Sequence, residues 1–361
     1  MTPLLIERPP VLHLGDGTLP ELGRWARAKG VRRPLVVTGR SGAARVALLD
    51  LPGEVTVFAD VQPEPDLPNL LAACALAEQV QPDCVIGFGG GSAMDLAKLV
   101  AVLPGSGKGL HDVAGPEKVA GRRVLLAQVP TTAGTGSEAG TRALVTDPAT
   151  RNKVAVQSRH MLADIAVVDP TLTHSVPPAV TAATGLDALA HCIECFTSRK
   201  AHPAIDLYVL EGIRLVGRFL RRAVEDGADA EARAGLMLAS LYGGFGLGPV
   251  NTTSGHAIAY PLGTRHHLPH GLACALIMPH ALAFNAPAAA AKTALVLDAL
   301  GGDVSAFCAR LGLDMRLRAH GIPQADLPAM AKEAHAIRRL LDNNPREMSE
   351  GDILALYERA F

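Results

Sequence analysis

In the first half of the chain, short β-branched apolar runs alternate with stretches in which apolar residues recur every three or four positions. PLVVTG at 34–39 and DCVIGFGGG at 83–91 end in glycine, whereas VLLAQVP at 124–130 and ADIAVVDP at 163–170 end in proline. Each reads as a strand feeding a turn. The segments at 20–30 and 65–82 show helical spacing, and alternation of this kind predicts a parallel sheet flanked by helices. Such sheets bind ligands beyond the carboxyl ends of their strands. After VPPAV at 176–180 the strand pattern stops, and long alanine- and leucine-rich segments of helical period continue to Phe361. Pro177 and Pro178 mark the expected boundary between an α/β domain at 1–178 and an all-α domain at 179–361.

A chain of 361 residues fits two cores of ordinary size. With 48% hydrophobic and 19% charged residues it has ample material to bury. The net charge of -1 gives no basic surplus for a nucleic-acid backbone or an anionic membrane, and 4% aromatics leave few stacking platforms. Neither nucleic acid nor membrane is therefore expected as a partner, and a small molecule is. The six cysteines, at 74, 84, 192, 195, 274 and 308, lie scattered in apolar segments, which favours free thiols in a reducing compartment. Cys192 and Cys195 form a lone C-x2-C that reads as small buried helix residues. MTPLLIERPP lacks the pattern of a leader, and no apolar run is expected to reach membrane-spanning length, so a cytoplasmic location is expected.

Two turns in the α/β half carry candidate chemistry. VIGFGGGSAMDLAK at 85–98 is a strand, three consecutive glycines, and a helix with Ser92 placed to cap it and Asp95 and Lys98 on its early turns. Glycines let a backbone approach a pyrophosphate, and a helix N-terminus offers N–H donors and a positive dipole end. PTTAGTGSE at 130–138 is dense in hydroxyls, with Thr131, Thr132, Thr135 and Ser137 able to donate to phosphate or ribose oxygens. Alone it is an ordinary polar loop; beside the triple glycine it becomes a second wall of one cofactor site.

The helical half carries four candidate metal ligands. Asp187 and His191, four residues apart, stack on one helix face. His256 and His270 are separated by Pro261 and Gly263 and converge only if the chain folds back. Either pair alone is weak, because Asp-x3-His is common. One carboxylate with three imidazoles suits Fe(II) or Zn(II) and suits Mg(II) or Ca(II) poorly.

GGGSAMDLAK, PTTAGTGSE, VPPAVTAATGLDALAHCIE and HAIAYPLGTRHHLPHG resemble, in order and spacing, the signature segments of the iron-containing (group III) alcohol dehydrogenase family, over about Gly15 to Asn285. The resemblance implies an N-terminal Rossmann-like nicotinamide-binding domain and a C-terminal helical domain of the dehydroquinate synthase type, with the active site in the cleft between them. It implies that Asp187, His191, His256 and His270 bind the metal, that Gly90, Gly91, Ser92, Asp95, Thr131, Thr132 and Thr135 line the cofactor, and that Lys153 contacts it. A homodimer is implied too, for which an unpaired edge strand near the N-terminus is a candidate.

Two departures from the family pattern carry information. Where many NAD-using relatives have an acidic residue, this chain has Gly39, followed by Arg40 and Ser41. A carboxylate there would bind the ribose 2′-hydroxyl and repel a 2′-phosphate, so its absence favours NADP over NAD. The alternative is that Arg40 points to solvent and both cofactors are accepted. Tyr260 stands where some relatives carry an active-site histidine, four residues after His256. It is either a group near the substrate or a packing residue, and proton relay must use it, the cofactor ribose or water.

The expected reaction is hydride transfer between the nicotinamide and a small primary alcohol or aldehyde, with the metal as Lewis acid. The absence of fixed charge in the segments expected to line the pocket tilts the substrate toward a neutral or weakly polar short-chain aldehyde. A glycerol dehydrogenase-like enzyme and a maleylacetate reductase are the rivals within the fold. A dehydroquinate synthase-like lyase is the rival outside this chemistry, and no cluster of basic residues flanks the ligands as it would require.

Overall fold

The computed structural model describes residues 3–150 and 152–361. Two compact units divide the chain. One holds Ile6–Thr132 and Gly136–His174, and the other holds Ser175–Phe361 with Ala133–Thr135 and a short N-terminal stretch. The change of unit falls at Ser175, just before the proline pair, and Thr135 groups with the helices although its neighbours Thr131 and Thr132 do not.

The α/β unit contains β1 (Val11–Leu14), α1 (Pro20–Ala28), β2 (Pro34–Val37), the short α2 (Arg40–Ala43), β3 (Thr56–Phe58), α3 (Leu67–Val80), β4 (Cys84–Gly89), α4 (Gly91–Val100), β5 (Gly115–Pro116), β6 (Leu125–Pro130), β7 (Arg142–Asp147), β8 (Asn152–Gln157) and β9 (Ile165–Val168). Six strands pair in parallel in the order β1-β9-β6-β4-β2-β3, and a small second sheet runs β5-β8-β7. The continuous apolar runs follow from burial on both faces. Leu35, Val37 and Val85 pack into one core with α3 and α4 residues such as Leu70 and Leu96. Val36, Cys84, Ile86 and Phe88 point the other way, into a core with Leu22 and Ala26 of α1.

The helical unit contains α5 (Pro178–Thr197), α6 (Pro203–Glu225), α7 (Ala230–Leu247), α8 (Ser254–His266), α9 (His270–Asn285), α10 (Ala290–Leu300), α11 (Val304–Ala309), α12 (Leu327–His335), α13 (Arg338–Leu341) and α14 (Glu350–Ala360). Helix α5 is buried along nearly all of its length after Thr181. Small residues let its neighbours approach: a Cβ at Gly185 would run into Leu220 of α6, and one at Gly271 would collide with the Ala183 carbonyl. The glycine after His270 therefore seats the start of α9 against α5, one turn from Asp187.

The helical stretch His270–Ala288 is apolar and long enough to cross a membrane, contrary to the expectation that no run reaches that length. Over half of it is buried inside the protein, and it carries a histidine and a cysteine on its first turns, as a core helix of a site does.

Candidate metal centre and cofactor turns

Three helices bring the donors together. Asp187 comes from the middle of α5, His256 from the first turn of α8, and His270 is the first residue of α9. The His256 Nε2 and the His270 Nε2 each lie 3.5 Å from Asp187 Oδ1, and the His191 Nε2 lies 3.8 Å from it. Four donors about 2.1 Å from a common centre in tetrahedral array would stand about 3.4 Å apart, so this spacing is that of a transition-metal site. Asp187 Oδ1 and His256 Nε2 are buried without a hydrogen-bond partner. Orphaned polar atoms are costly in a protein interior, and an ion between these two would satisfy both. The residues present thus fit a resident metal.

Cys274 lies beside this site as well: Asp187, His256, His270 and Cys274 each offer a ligand atom within 4.8 Å of the others. His191 completes the set from the same helix as Asp187. Its ring stacks on that of His256 at 4.6 Å, and its Nδ1 is 3.3 Å from the Gly134 carbonyl. A carbonyl only accepts, so Nδ1 carries the proton and Nε2 keeps its lone pair toward Asp187. Burial, partly opposed by Asp187, lowers the His191 pKa to about 4, which keeps the ring neutral. Burial works to raise the Asp187 carboxyl, but His191, His270 and His256 outweigh it and hold the group well below the usual carboxylate range.

Glu194, two turns along α5 from Asp187, was not among the residues read from the sequence. Its Oε1 accepts from His256 Nδ1 at 2.7 Å and from the His256 backbone N–H at 3.0 Å, while its Oε2 accepts from the Thr253 backbone N–H and hydroxyl. The carboxylate fixes the His256 tautomer and turns Nε2 inward, the arrangement that outer partners of metal-bound histidines adopt. Burial tends to raise Glu194, and His256 with these hydrogen bonds brings it below its ordinary value. The only sequence signal is its spacing, since positions 187, 191 and 194 share a helix face. Asn343 and Asn344, near the C-terminus, brace the same region: Asn343 Nδ2 donates to the Thr252 carbonyl, and Asn344 Oδ1 accepts from Ser254 N–H.

Tyr260 lies one turn beyond His256 on α8, 7% exposed, with its ring 5.9 Å from that of His270. Its hydroxyl accepts from Arg339 Nη2 at 3.4 Å, and the guanidinium sits 5.5 Å over the ring. The sequence offered no sign of Arg339, which arrives from α13.

In the α/β unit, β4 runs into Gly89, at φ 156°, and α4 begins at Gly91 with Gly90 as N-cap. The expected serine cap is not formed: Ser92 is the second residue of the helix, and no side chain caps it. The glycine triplet carries the chain into the helix two residues early, with Gly90 at the N-cap. The helix therefore presents uncapped N–H groups, as an anion site requires. A Cβ on Gly90 would press on the Thr132 hydroxyl, 3.2 Å away, and Thr131 N–H bonds the Gly89 carbonyl, so the ends of β4 and β6 are tied side by side.

Asp95 and Lys98 face into the unit. Asp95 accepts from the Ser137 hydroxyl at 2.6 Å and from Leu144 N–H at 2.9 Å. Lys98 Nζ donates to the Ser137 carbonyl and hydroxyl and to the Arg142 carbonyl at 2.7–2.8 Å. They lace the triple-glycine helix to the hydroxyl-rich turn. Lys153, on β8, pairs with Glu64. Gly39 is the extended N-cap of α2, and Arg40 and Ser41 are exposed, with Arg40 Nε 3.8 Å from Asp60.

Residues 9–170 match the iron-containing alcohol dehydrogenase family, and residues 181–361 match the C-terminal domain of the iron-containing alcohol dehydrogenases. A long-chain-alcohol dehydrogenase of Geobacillus thermodenitrificans is 37% identical, covering 98% of this chain and 95% of its own. A sulfoacetaldehyde reductase of Bilophila wadsworthia is 35% identical over 92% of this chain and 88% of its own. The crystal structure of a 1,3-propanediol oxidoreductase superposes with a TM-score of 0.94 at 30% identity, covering 100% of both chains. With both halves matched, the chain belongs to the iron-containing alcohol dehydrogenase family.

Proposed function

We propose that this chain is an NADP-preferring, metal-dependent reductase of small neutral aldehydes, running in reverse on the corresponding primary alcohols. That it is an NAD(P)-dependent alcohol dehydrogenase or aldehyde reductase follows from its family; the substrate size and cofactor preference are finer readings. The observation that carries the metal dependence is the orphaned Asp187 Oδ1, with three imidazole Nε2 atoms 3.5–3.8 Å from it. When bound, the metal supplies Lewis acidity toward the substrate oxygen.

The chain's residues do the rest. Asp187, His256 and His270 hold the ion, with His191 as the fourth ligand of the family pattern, and Glu194 keeps His256 in the ligating tautomer. Iron is the family's metal, and zinc accepts the same donors. The uncapped N-terminus of α4 and the hydroxyls of Thr131, Thr132 and Thr135 bind the dinucleotide phosphates and ribose, with Gly90, Gly91 and Ser92 giving close approach and Asp95 and Lys98 bracing the turn. Lys153, paired with Glu64, contacts the cofactor as the family pattern implies. Arg339 donates to the Tyr260 oxygen and orients the phenol one turn beyond His256.

Gly39, with Arg40 and Ser41 following it, supports the NADP preference because no carboxylate stands there to repel a 2′-phosphate. The outer edge of β1 supports a homodimer: the strand pairs with β9 alone among the described strands, and Leu12 and Leu14 are exposed on it. A cytoplasmic location, without nucleic-acid or membrane partners, completes the reading.

The test is an assay of metal-stripped protein reloaded anaerobically with Fe(II) or Zn(II), with NADPH or NADH, against short aldehydes including glycolaldehyde and lactaldehyde. Metal-dependent turnover that prefers NADPH is expected. Turnover by clean metal-free protein would contradict the metal's role, and equal use of both cofactors would contradict the reading of Gly39.

A further inference from the structure

We propose that Asp60 is a second specificity-determining residue for the cofactor: its carboxylate holds Arg40 in an ion pair that an incoming 2′-phosphate must displace, and so limits the preference for NADP. The inference rests on the reading of Gly39 given above and deepens it.

Strands β2 and β3 run in parallel, with Val37 opposite Phe58. Gly39 and Asp60 each stand two residues beyond that pair, so the carboxylate that β2 lacks is present at the matching position of its neighbour. Both lie at the carboxyl end of the sheet, where parallel sheets bind their ligands. The two turns are laced together. Thr38 N–H donates to the Phe58 carbonyl at 2.9 Å, and Val61 N–H donates to the Thr38 carbonyl at 3.2 Å. Asn69, 6% exposed, fixes the far side: its Nδ2 donates to the Asp60 carbonyl at 2.9 Å, and its Oδ1 accepts from Gln62 N–H at 3.1 Å. The backbone of Asp60 is therefore held in place while its side chain is 74% exposed.

Arg40 Nε lies 3.8 Å from Asp60 Oδ1, and the Arg40 side chain is 92% exposed. At that distance the two charges attract without a hydrogen bond. Among the described residues Asp60 is the one carboxylate paired with Arg40. An exposed pair of this kind is weak, whereas a guanidinium can give a phosphate two charge-assisted N–H bonds. A 2′-phosphate at this end of the sheet would take Arg40 from Asp60, against the repulsion of the carboxylate left beside it. NADH carries no such phosphate and meets neither effect. The Asp60 charge thus weakens the binding of NADPH selectively.

The experiment titrates full-length, Zn(II)-loaded wild type and Asp60→Asn with NADPH and with NADH, without aldehyde, at low and at high ionic strength. Fluorescence of the reduced nicotinamide reports binding, so no turnover is needed. Asparagine keeps the shape of Asp60 and its backbone bonds while removing the charge. The variant is expected to bind NADPH at least about threefold more tightly, with its NADH affinity within about twofold of wild type. That gain is expected to shrink in high salt, which screens exposed charges and would not alter a packing effect. Arg40→Ala is expected to weaken NADPH binding, and an unchanged affinity there would overturn the displaced pair. Unchanged NADPH affinity in Asp60→Asn would overturn the proposal, as would a loss of NADH affinity, which would make Asp60 a ribose ligand. A wild type that binds NADH as tightly as NADPH would contradict the reading of Gly39, yet a salt-sensitive gain for NADPH in Asp60→Asn would still establish the role of Asp60.

Discussion

Two buried charges, one in each unit, meet opposite fates. Lys98 is fully enclosed in the α/β unit, and three oxygens receive its ammonium. Asp187 is as deeply buried in the helical unit, yet one of its oxygens has no partner and faces histidine nitrogens. A charge whose hydrogen bonds are complete is holding a fold together. One left incomplete beside lone pairs is a place for something the chain does not itself supply.

The largest expected effect tests the second half of that contrast. Asp187→Ala should leave activity below about 1% of wild type, a deeper loss than the roughly 10–100-fold typical of outer partners. It should leave the metal-free protein folded, with a melt close to that of the wild type, because one of its oxygens has no hydrogen bond to lose. Thermal melts of the stripped proteins check this, and a large destabilisation would make Asp187 structural.

Lys98→Met should do the reverse, costing about 3–5 kcal/mol of stability through stranded acceptors. Denaturant unfolding reads it directly, and wild-type stability would remove the contrast.

Glu138, which feels the Lys98 charge, sharpens the comparison from within the α/β unit. Neither of its carboxylate oxygens has a partner, and burial, opposed by its own backbone N–H and by Lys98, raises its pKa to about 7. The folded protein then holds a proton there that the unfolded chain has already lost above the ordinary carboxylate pKa of 4.5. Stability from this group is therefore lost as pH rises from about 4.5 to about 7, by up to roughly 3 kcal/mol. Glu138→Gln should flatten that slope in melts taken across the window; an unchanged slope would assign it to other groups.

Glu194→Gln keeps shape but weakens the brace on His256. Metal affinity should fall roughly 10–100-fold with little change in the melt of the stripped protein. Metal titrations check it, and unaltered affinity would reduce Glu194 to packing. The smallest effect is Gly39→Asp. A Cβ there meets only the Val61 carbonyl at 3.5 Å, so the substitution fits. The ratio of kcat/KM for NADPH over NADH should drop at least about tenfold.

How far the sequence reached depended on whether a feature is local. β2, β4, β6 and β9 are buried on both faces and read as unbroken apolar runs. β3 has three residues, while β7 and β8 are only half buried, so their patterns merge with the loops around them. Asp187 and His191 announce themselves by helical spacing. Glu194 and Arg339 do not, because each gains its role from a neighbour on another helix. The serine cap of α4 was a local reading that failed locally, since the third glycine starts the helix before Ser92 is reached.

The most direct test of the metal centre is equilibrium metal binding to stripped wild-type and Asp187→Ala proteins, with bound Fe(II) or Zn(II) counted per chain. One ion per chain in the wild type, and none held at this site in the variant, is the predicted result. A variant that binds as tightly as the wild type would contradict the account, because the ion would then owe nothing to the orphaned carboxylate.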